Sequence, residues 1–208
     1  MNPINLDDYE RLAQQRLPQM VFEYFFGGSG DELTIRENRL GWQALRLRPR
    51  VLVDVATRDL STNVLGQRLA FPVLTAPCAF NALAHPDGEC AVARAAAAAG
   101  IVQVVSTAGT FSLEEIAAAA PQGVRWFQLY CYRDRGVTRS LVERAVAAGY
   151  KALCLTVDAP LVGRRDRDNR NCFGLPPGMT WKNLEQVGLE RMEAGDDGSA
   201  LVKYISGI

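Results

Sequence analysis

The sequence predicts an α/β fold built on a parallel sheet, and three observations predict it. Four short apolar runs, PVLTAP at 72–77, IVQVVS at 101–106, WFQLY at 126–130 and KALCLTVD at 151–158, begin roughly 25–29 residues apart, the length of a compact strand–helix unit. Between them lie Ala-rich stretches of helical character near 89–99, 112–120 and 138–148. The runs are almost continuously apolar rather than alternating, the pattern of strands covered on both faces and hence of a parallel sheet. Two architectures satisfy this pattern, a doubly wound open sheet and a closed barrel, and periodicity does not choose between them. The first run continues into TAPCAF rather than a GxGxxG turn, which counts against a dinucleotide-binding unit.

Each element has a local cause. Asp7 and Asp8 open a first helix whose apolar positions Tyr9, Leu12, Ala13 and Leu17 recur at helical spacing, and Pro18 ends it. A second helix runs from Met20 to Phe26 and stops at Gly27-Gly28; a third spans about Asp31 to Leu40. RVLVDV and STNVLGQRLAFP are rich in β-branched residues, with Asp59 and Asn63–Gly66 as turn material, and predict a small hairpin. Gly100 and Gly149 stand where helix C-caps belong, and Ser112 with Glu115 has capping-box spacing. After Asp158 the pattern stops. The tail carries GRRDRDNRN, LPPGM and EAGDDGS, with turn formers and charges but no clear strand, as in a lid or disordered segment. The expected division is 1–71 for the helices and hairpin, 72–158 for four strands of the sheet and 159–208 for the loop region.

Composition narrows the functional classes. Of the 208 residues, 48% are hydrophobic and 22% charged, and Lys+Arg equals Asp+Glu at 23 each, so no global field would attract nucleic acid or an anionic membrane. The polar, acidic start MNPINLDDYE lacks the features of a signal peptide. The most apolar stretch, Cys90 to Val105, is interrupted by Arg94, Gly100 and Gln103, which predicts no membrane span. Five cysteines, at 78, 90, 131, 154 and 172, form no CxxC pair, so neither a disulfide framework nor a metal site is expected, and a reducing cytoplasm fits. Cys154, in an apolar run, reads as a small buried hydrophobe.

In parallel βα folds, chemistry collects at the C-terminal ends of strands. The ends here are polar: Ala76-Pro77-Cys78-Ala79, Ser106-Thr107, Gln128 with Tyr130, and Thr156 with Asp158. Four successive ends with hydrogen-bonding groups suit a planar polar ligand, although the same groups also serve simply as strand and helix caps.

The segments LPQMVFEYFFGGSGDE, NRLGWQALRLRPRVLVDV, LTAPCAFNALAHPDGE, RWFQLYCYRDR and LTVDAPLVGRRDRDNRN, in this order and spacing over about 200 residues, resemble the flavin-dependent 2-hydroxy-acid oxidase family, which includes glycolate oxidase, lactate oxidase and mandelate dehydrogenase. The resemblance implies a TIM (βα)8 barrel, of which this chain would supply the N-terminal half, about four βα units. It implies FMN as cofactor, a small L-2-hydroxy acid of lactate or glycolate type as substrate, and a homotetramer in the full-length family. Among cofactor contacts it implies the backbone of Pro77, Cys78 and Ala79 facing the flavin ring, Ser106 and Gln128 bonding the isoalloxazine edge, and Thr156. For substrate it implies Tyr24 and Arg165 at the carboxylate and Tyr130 near the reacting oxygen. Without the family, Tyr24 reads as one aromatic of the FEYFF cluster and Arg165 as part of a solvated charged loop. Another FMN barrel, the type 2 isopentenyl diphosphate isomerase, fits less well, because Tyr24, Tyr130 and Arg165 suit an α-hydroxy carboxylate.

His85 is the only histidine, yet it matches a loop motif after the first strand rather than the family's base, and is expected to fix that loop by hydrogen bonds. Ala108 matches a pocket position that is bulkier in some relatives and leaves room for at least a methyl group, favouring lactate or larger acids, although Leu161 could narrow the same pocket. The family's base histidine with its arginine, the strand-5 lysine and the phosphate-binding glycine turns cannot be placed. The isolated chain is therefore expected to be inactive and to associate through unpaired strand edges. The alternative is a non-catalytic half-barrel or pseudogene product.

Overall fold

The computed structural model describes residues 2–158 and 163–187. They fall into two compact units, residues 2–60 with 163–173, and residues 61–158 with 174–187. The hairpin thus belongs with the sheet, and a helix from the charged tail belongs with the N-terminal helices.

The first unit contains α1 (Leu6–Arg16), α2 (Gln19–Phe26), α3 (Leu33–Ala44) and, from the tail, α7 (Asp166–Arg170). Asn5 caps α1 by accepting the Asp8 amide at 2.8 Å. Pro18 starts α2, and the Gly27 amide closes it on the Glu23 carbonyl. α3 begins later than the spacing predicts, because Glu32 takes a left-handed conformation at φ 56 and its carboxylate turns back to the Gly28 amide, and it runs on to Ala44. RVLVDV forms no strand, and this corrects the expectation. Val51, Val53 and Val55 are exposed and Leu52 sits at φ 59. β-branched residues favour strands only where a partner strand and a packed face receive them, and none does so among the described residues.

The second unit opens with the hairpin β1 (Thr62–Val64) and β2 (Gln67–Leu69). Its two-residue turn is Leu65-Gly66, with φ values of 49 and 75, as a tight twisted hairpin requires. Four parallel strands follow in chain order: β3 (Leu74–Thr75), β4 (Val102–Val105), β5 (Arg125–Leu129) and β6 (Ala152–Leu155). Helices α4 (Gly88–Ala99), α5 (Leu113–Ala119) and α6 (Arg135–Ala147) connect them. Gly100 ends α4 at φ 66 and Ser112 with Glu115 makes the complete capping box, as expected. Central strands β4 and β5 are buried at every position. The outer strand β6 is not: Ala152 and Cys154 turn to a cluster around Leu69, Val102, Val104 and Trp126, whereas Leu153 and Leu155 are 44% and 55% exposed. Cys154 is thus half-buried rather than fully buried. No helix among the described residues is long and apolar enough to cross a membrane.

Candidate functional site

Three adjacent strands end in one hydrogen-bonded row. Ser106 follows β4, Gln128 lies near the end of β5 and Thr156 follows β6. The Gln128 carboxamide oxygen accepts the Thr107 amide at 3.1 Å and the Ser106 hydroxyl at 3.4 Å, while its nitrogen donates to the Thr156 hydroxyl at 2.7 Å. The orientation of the amide has a physical cause, since a backbone N–H can only donate and must face the oxygen. Thr107 adds a bond from its hydroxyl to the Gln128 carbonyl at 2.5 Å, and the Ser106 hydroxyl accepts the Ala108 amide at 3.1 Å. Ser106, Thr107 and Gln128 are buried and Thr156 is half-buried, so the row opens toward Thr156.

Beside this row lies the segment after β3. Pro77 and Cys78 are exposed and Ala79 is half-buried. The segment is held from below. Asn81 donates to the Cys78 carbonyl at 2.9 Å, and the Phe80 amide donates to the Ala108 carbonyl at 3.1 Å. Phe80 is fully buried with φ 56, its ring edge-on to Trp181 at 5.0 Å. Tyr130, at the end of β5, is half-buried. Burial, and secondarily the negative charge of Asp158, push its phenol above the ordinary tyrosine range.

Tyr24 and Arg165 both lie in the first unit. The Tyr24 ring stacks on Phe173 at 4.2 Å with planes 7° apart, and the Arg165 guanidinium sits over the same ring at 5.3 Å. Arg165 also donates to the Tyr24 carbonyl and pairs through Nε with the Asp168 carboxylate at 2.5 Å. Asp168, on α7, is only 6% exposed at its side chain, so the arginine's charge is balanced inside this unit. The neighbouring Arg167 grips Glu32 with two bonds of 2.6 and 2.9 Å, which holds that carboxyl below the usual carboxylate range.

The predicted residues therefore form two groups. Pro77, Cys78, Ala79, Ser106, Gln128, Tyr130 and Thr156 line the strand ends of the second unit; Tyr24 and Arg165 adjoin in the first. Ala108 is buried, and Leu161 lies outside the described residues. His85 accepts the Asp87 amide on Nδ1 at 3.1 Å, the loop-fixing role expected of it. Sequence reading missed Asn183, whose amide donates to the Thr107 carbonyl at 3.1 Å and whose oxygen accepts the Leu113 amide at 2.9 Å. No local pattern announces a clamp placed 76 residues away. The signal for Asp168 was visible as an i,i+3 spacing from Arg165.

The donor set suits a flavin. A ring edge that alternates acceptors and donors needs groups that do both, and an amide flanked by two hydroxyls does so. Among the described residues no cluster of His, Cys, Asp or Glu could hold a metal ion.

The model of the family described as FMN-dependent dehydrogenase matches residues 13–202. An L-lactate oxidase of Nostoc sp. is 52% identical over an aligned length of 208, with 99% of this chain and 57% of that protein covered. A glycolate oxidase of Spinacia oleracea is 45% identical, covering 100% of this chain and 56% of that one. Among solved structures, a mandelate oxidase with (S)-4-hydroxymandelic acid matches 98% of this chain and 57% of its own at TM-score 0.91 and 39% identity. A chimera of (S)-mandelate dehydrogenase matches 89% and 52% at TM-score 0.85 and 44% identity. The chain thus spans about half the length of the relatives it matches. The fold is that of the family's TIM barrel, the four parallel strands being consecutive members of it. By this match along nearly its whole length, the chain belongs to the FMN-dependent dehydrogenase family.

Proposed function

We propose that this chain is the N-terminal part of an FMN-dependent enzyme that oxidises a small L-2-hydroxy acid, of lactate or glycolate type, to the 2-oxo acid. The observation that carries the reading is the row Ser106–Gln128–Thr156, which joins three strand ends beside the backbone of Pro77–Ala79. FMN, when bound, supplies the hydride acceptor at N5. Ser106, Gln128 and Thr156 would hold its ring edge, and Pro77, Cys78 and Ala79 its face. Tyr130 keeps its proton at neutral pH, because burial and Asp158 both oppose its ionisation, and so would donate a hydrogen bond to the substrate oxygen. Tyr24 and Arg165 would bind the substrate carboxylate. Ala108 favours lactate over glycolate. The full-length protein would be a cytoplasmic homotetramer.

A second reading rests on His85. It is the only histidine, and its Nδ1 is committed to the Asp87 amide, so the chain has no histidine placed to take the hydroxyl proton. On this reading the isolated chain takes up flavin but does not turn over. One experiment addresses both. The purified chain is titrated with FMN and then mixed anaerobically with L-lactate. Uptake without bleaching is expected, with bleaching restored by a polypeptide carrying the relatives' C-terminal half. No uptake even with that polypeptide present would refute the flavin assignment, and bleaching by the chain alone would refute the second reading.

A further inference from the structure

We propose that Glu89 is the positioning residue of the flavin-facing wall, its buried carboxylate clipping the loop after β3 to the loop after β4 so that both present one surface. The proposal rests on the flavin reading above.

Glu89 stands in the first turn of α4 and is 1% exposed. Its Oε1 accepts two backbone amides, Asn81 at 3.1 Å and Thr110 at 2.9 Å, and its Oε2 accepts the Thr110 hydroxyl at 2.6 Å. That hydroxyl accepts the Ala82 amide at 3.2 Å, so the chain of donors runs from the first loop through Thr110 into the carboxylate. Every partner donates, and a carboxylate is the side chain that only accepts. Among the described residues no ion pair reaches it, so these hydrogen bonds and the helix N-terminus balance the buried group. A capping group ordinarily serves its own helix; this one reaches 8 and 21 residues along the chain, to the two loops that carry Pro77–Ala79 and Ser106. The approach is close. Gly88 stands at φ 39, where an added Cβ would meet the Ala82 nitrogen at 3.0 Å and the Phe111 ring at 3.1 Å. The Phe80 amide on the Ala108 carbonyl is a second tie between the same loops.

The test uses the full chain as wild type, Glu89→Ala, Glu89→Gln and, as a control on the exposed face of the same helix, Arg94→Ala. Amide hydrogen exchange follows residues 78–82 and 107–111, and FMN titration reads affinity and the visible spectrum of bound flavin. Glu89→Ala is expected to lose protection in both loops together and to weaken FMN binding by about tenfold or more, with Arg94→Ala unchanged. In Glu89→Gln the remaining oxygen still serves both amides while an NH2 group faces the Thr110 hydroxyl. It should fold, keep most protection, shift the flavin spectrum and lose about two- to fivefold in affinity. Should Glu89→Ala fail to fold, Glu89→Gln decides alone. Loop protection lost with affinity and spectrum intact would make Glu89 merely structural and overturn the proposal, as would wild-type behaviour of both variants. Failure of wild type to take up FMN is a different result: it overturns the flavin reading, and this inference with it.

Discussion

The two groups of candidate residues are built from different materials. The row at the ends of β4, β5 and β6 is made of neutral hydroxyls and an amide on repeating secondary structure, with partners supplied by backbone groups a strand away. The Tyr24–Arg165 group is made of charges and rings on short helices and irregular chain, held by Asp168 and Phe173. Each is vulnerable in its own way. Neutral bonds between buried groups are indifferent to salt and to pH in the ordinary range, but an unpaired buried donor is costly. Ion pairs tolerate geometric slack but depend on protonation and on the partner charge.

The largest effect is expected of Gln128→Leu. It removes the partner of the buried Thr107 amide and the bonds to Ser106 and Thr156. A loss of about 1–3 kcal/mol in urea unfolding is expected, independent of salt, together with loss of FMN uptake. Unchanged flavin affinity would show that the row only caps strands. Next is Asp168→Asn, which leaves the Arg165 guanidinium, 24% exposed at its side chain, without its counter-charge. The expected cost is about 2 kcal/mol, less than for a fully buried pair because solvent still reaches the arginine. Raising the salt concentration should narrow the gap to wild type, and a salt-independent gap would make the pair's role one of packing. The smallest effect concerns Glu32, whose carboxyl Arg167 and the Gly28 amide hold below its ordinary value. A depressed carboxylate stabilises the fold above the unfolded pKa and loses that contribution as pH falls through the folded one. The stability difference between wild type and Glu32→Gln should therefore be constant near neutrality and shrink below about pH 4.5, while flavin-row variants show no such trend.

Much of the second unit was legible because its elements repeat. Continuous apolar runs mark β4 and β5, and Ser112 with Glu115 and Gly100 mark helix ends, since these signals act over one turn or one strand. Residues 50–55 were misread because β-branched composition reports preference, not the presence of a partner. In the first unit, Arg165 and Asp168 stood in a run of alternating charges that reads as a solvated face, and only the fold brings the Tyr24 ring against them. Glu89 was hidden for the converse reason: an acidic residue at a helix start already has an ordinary explanation, and its reach to Thr110 is a property of the loops. The flavin and substrate roles came from resemblance, since spacing alone leaves the polar strand ends as caps.

The strand order of the parallel sheet, β3-β4-β5-β6, is also the order of synthesis. Each strand finds its neighbour one βα unit earlier in the chain, so no contact in the sheet closes a span longer than one such unit. Leu153, Leu155 and Val157, on and just beyond β6, alternate on one exposed face, apolar surface of the kind that a packed layer covers.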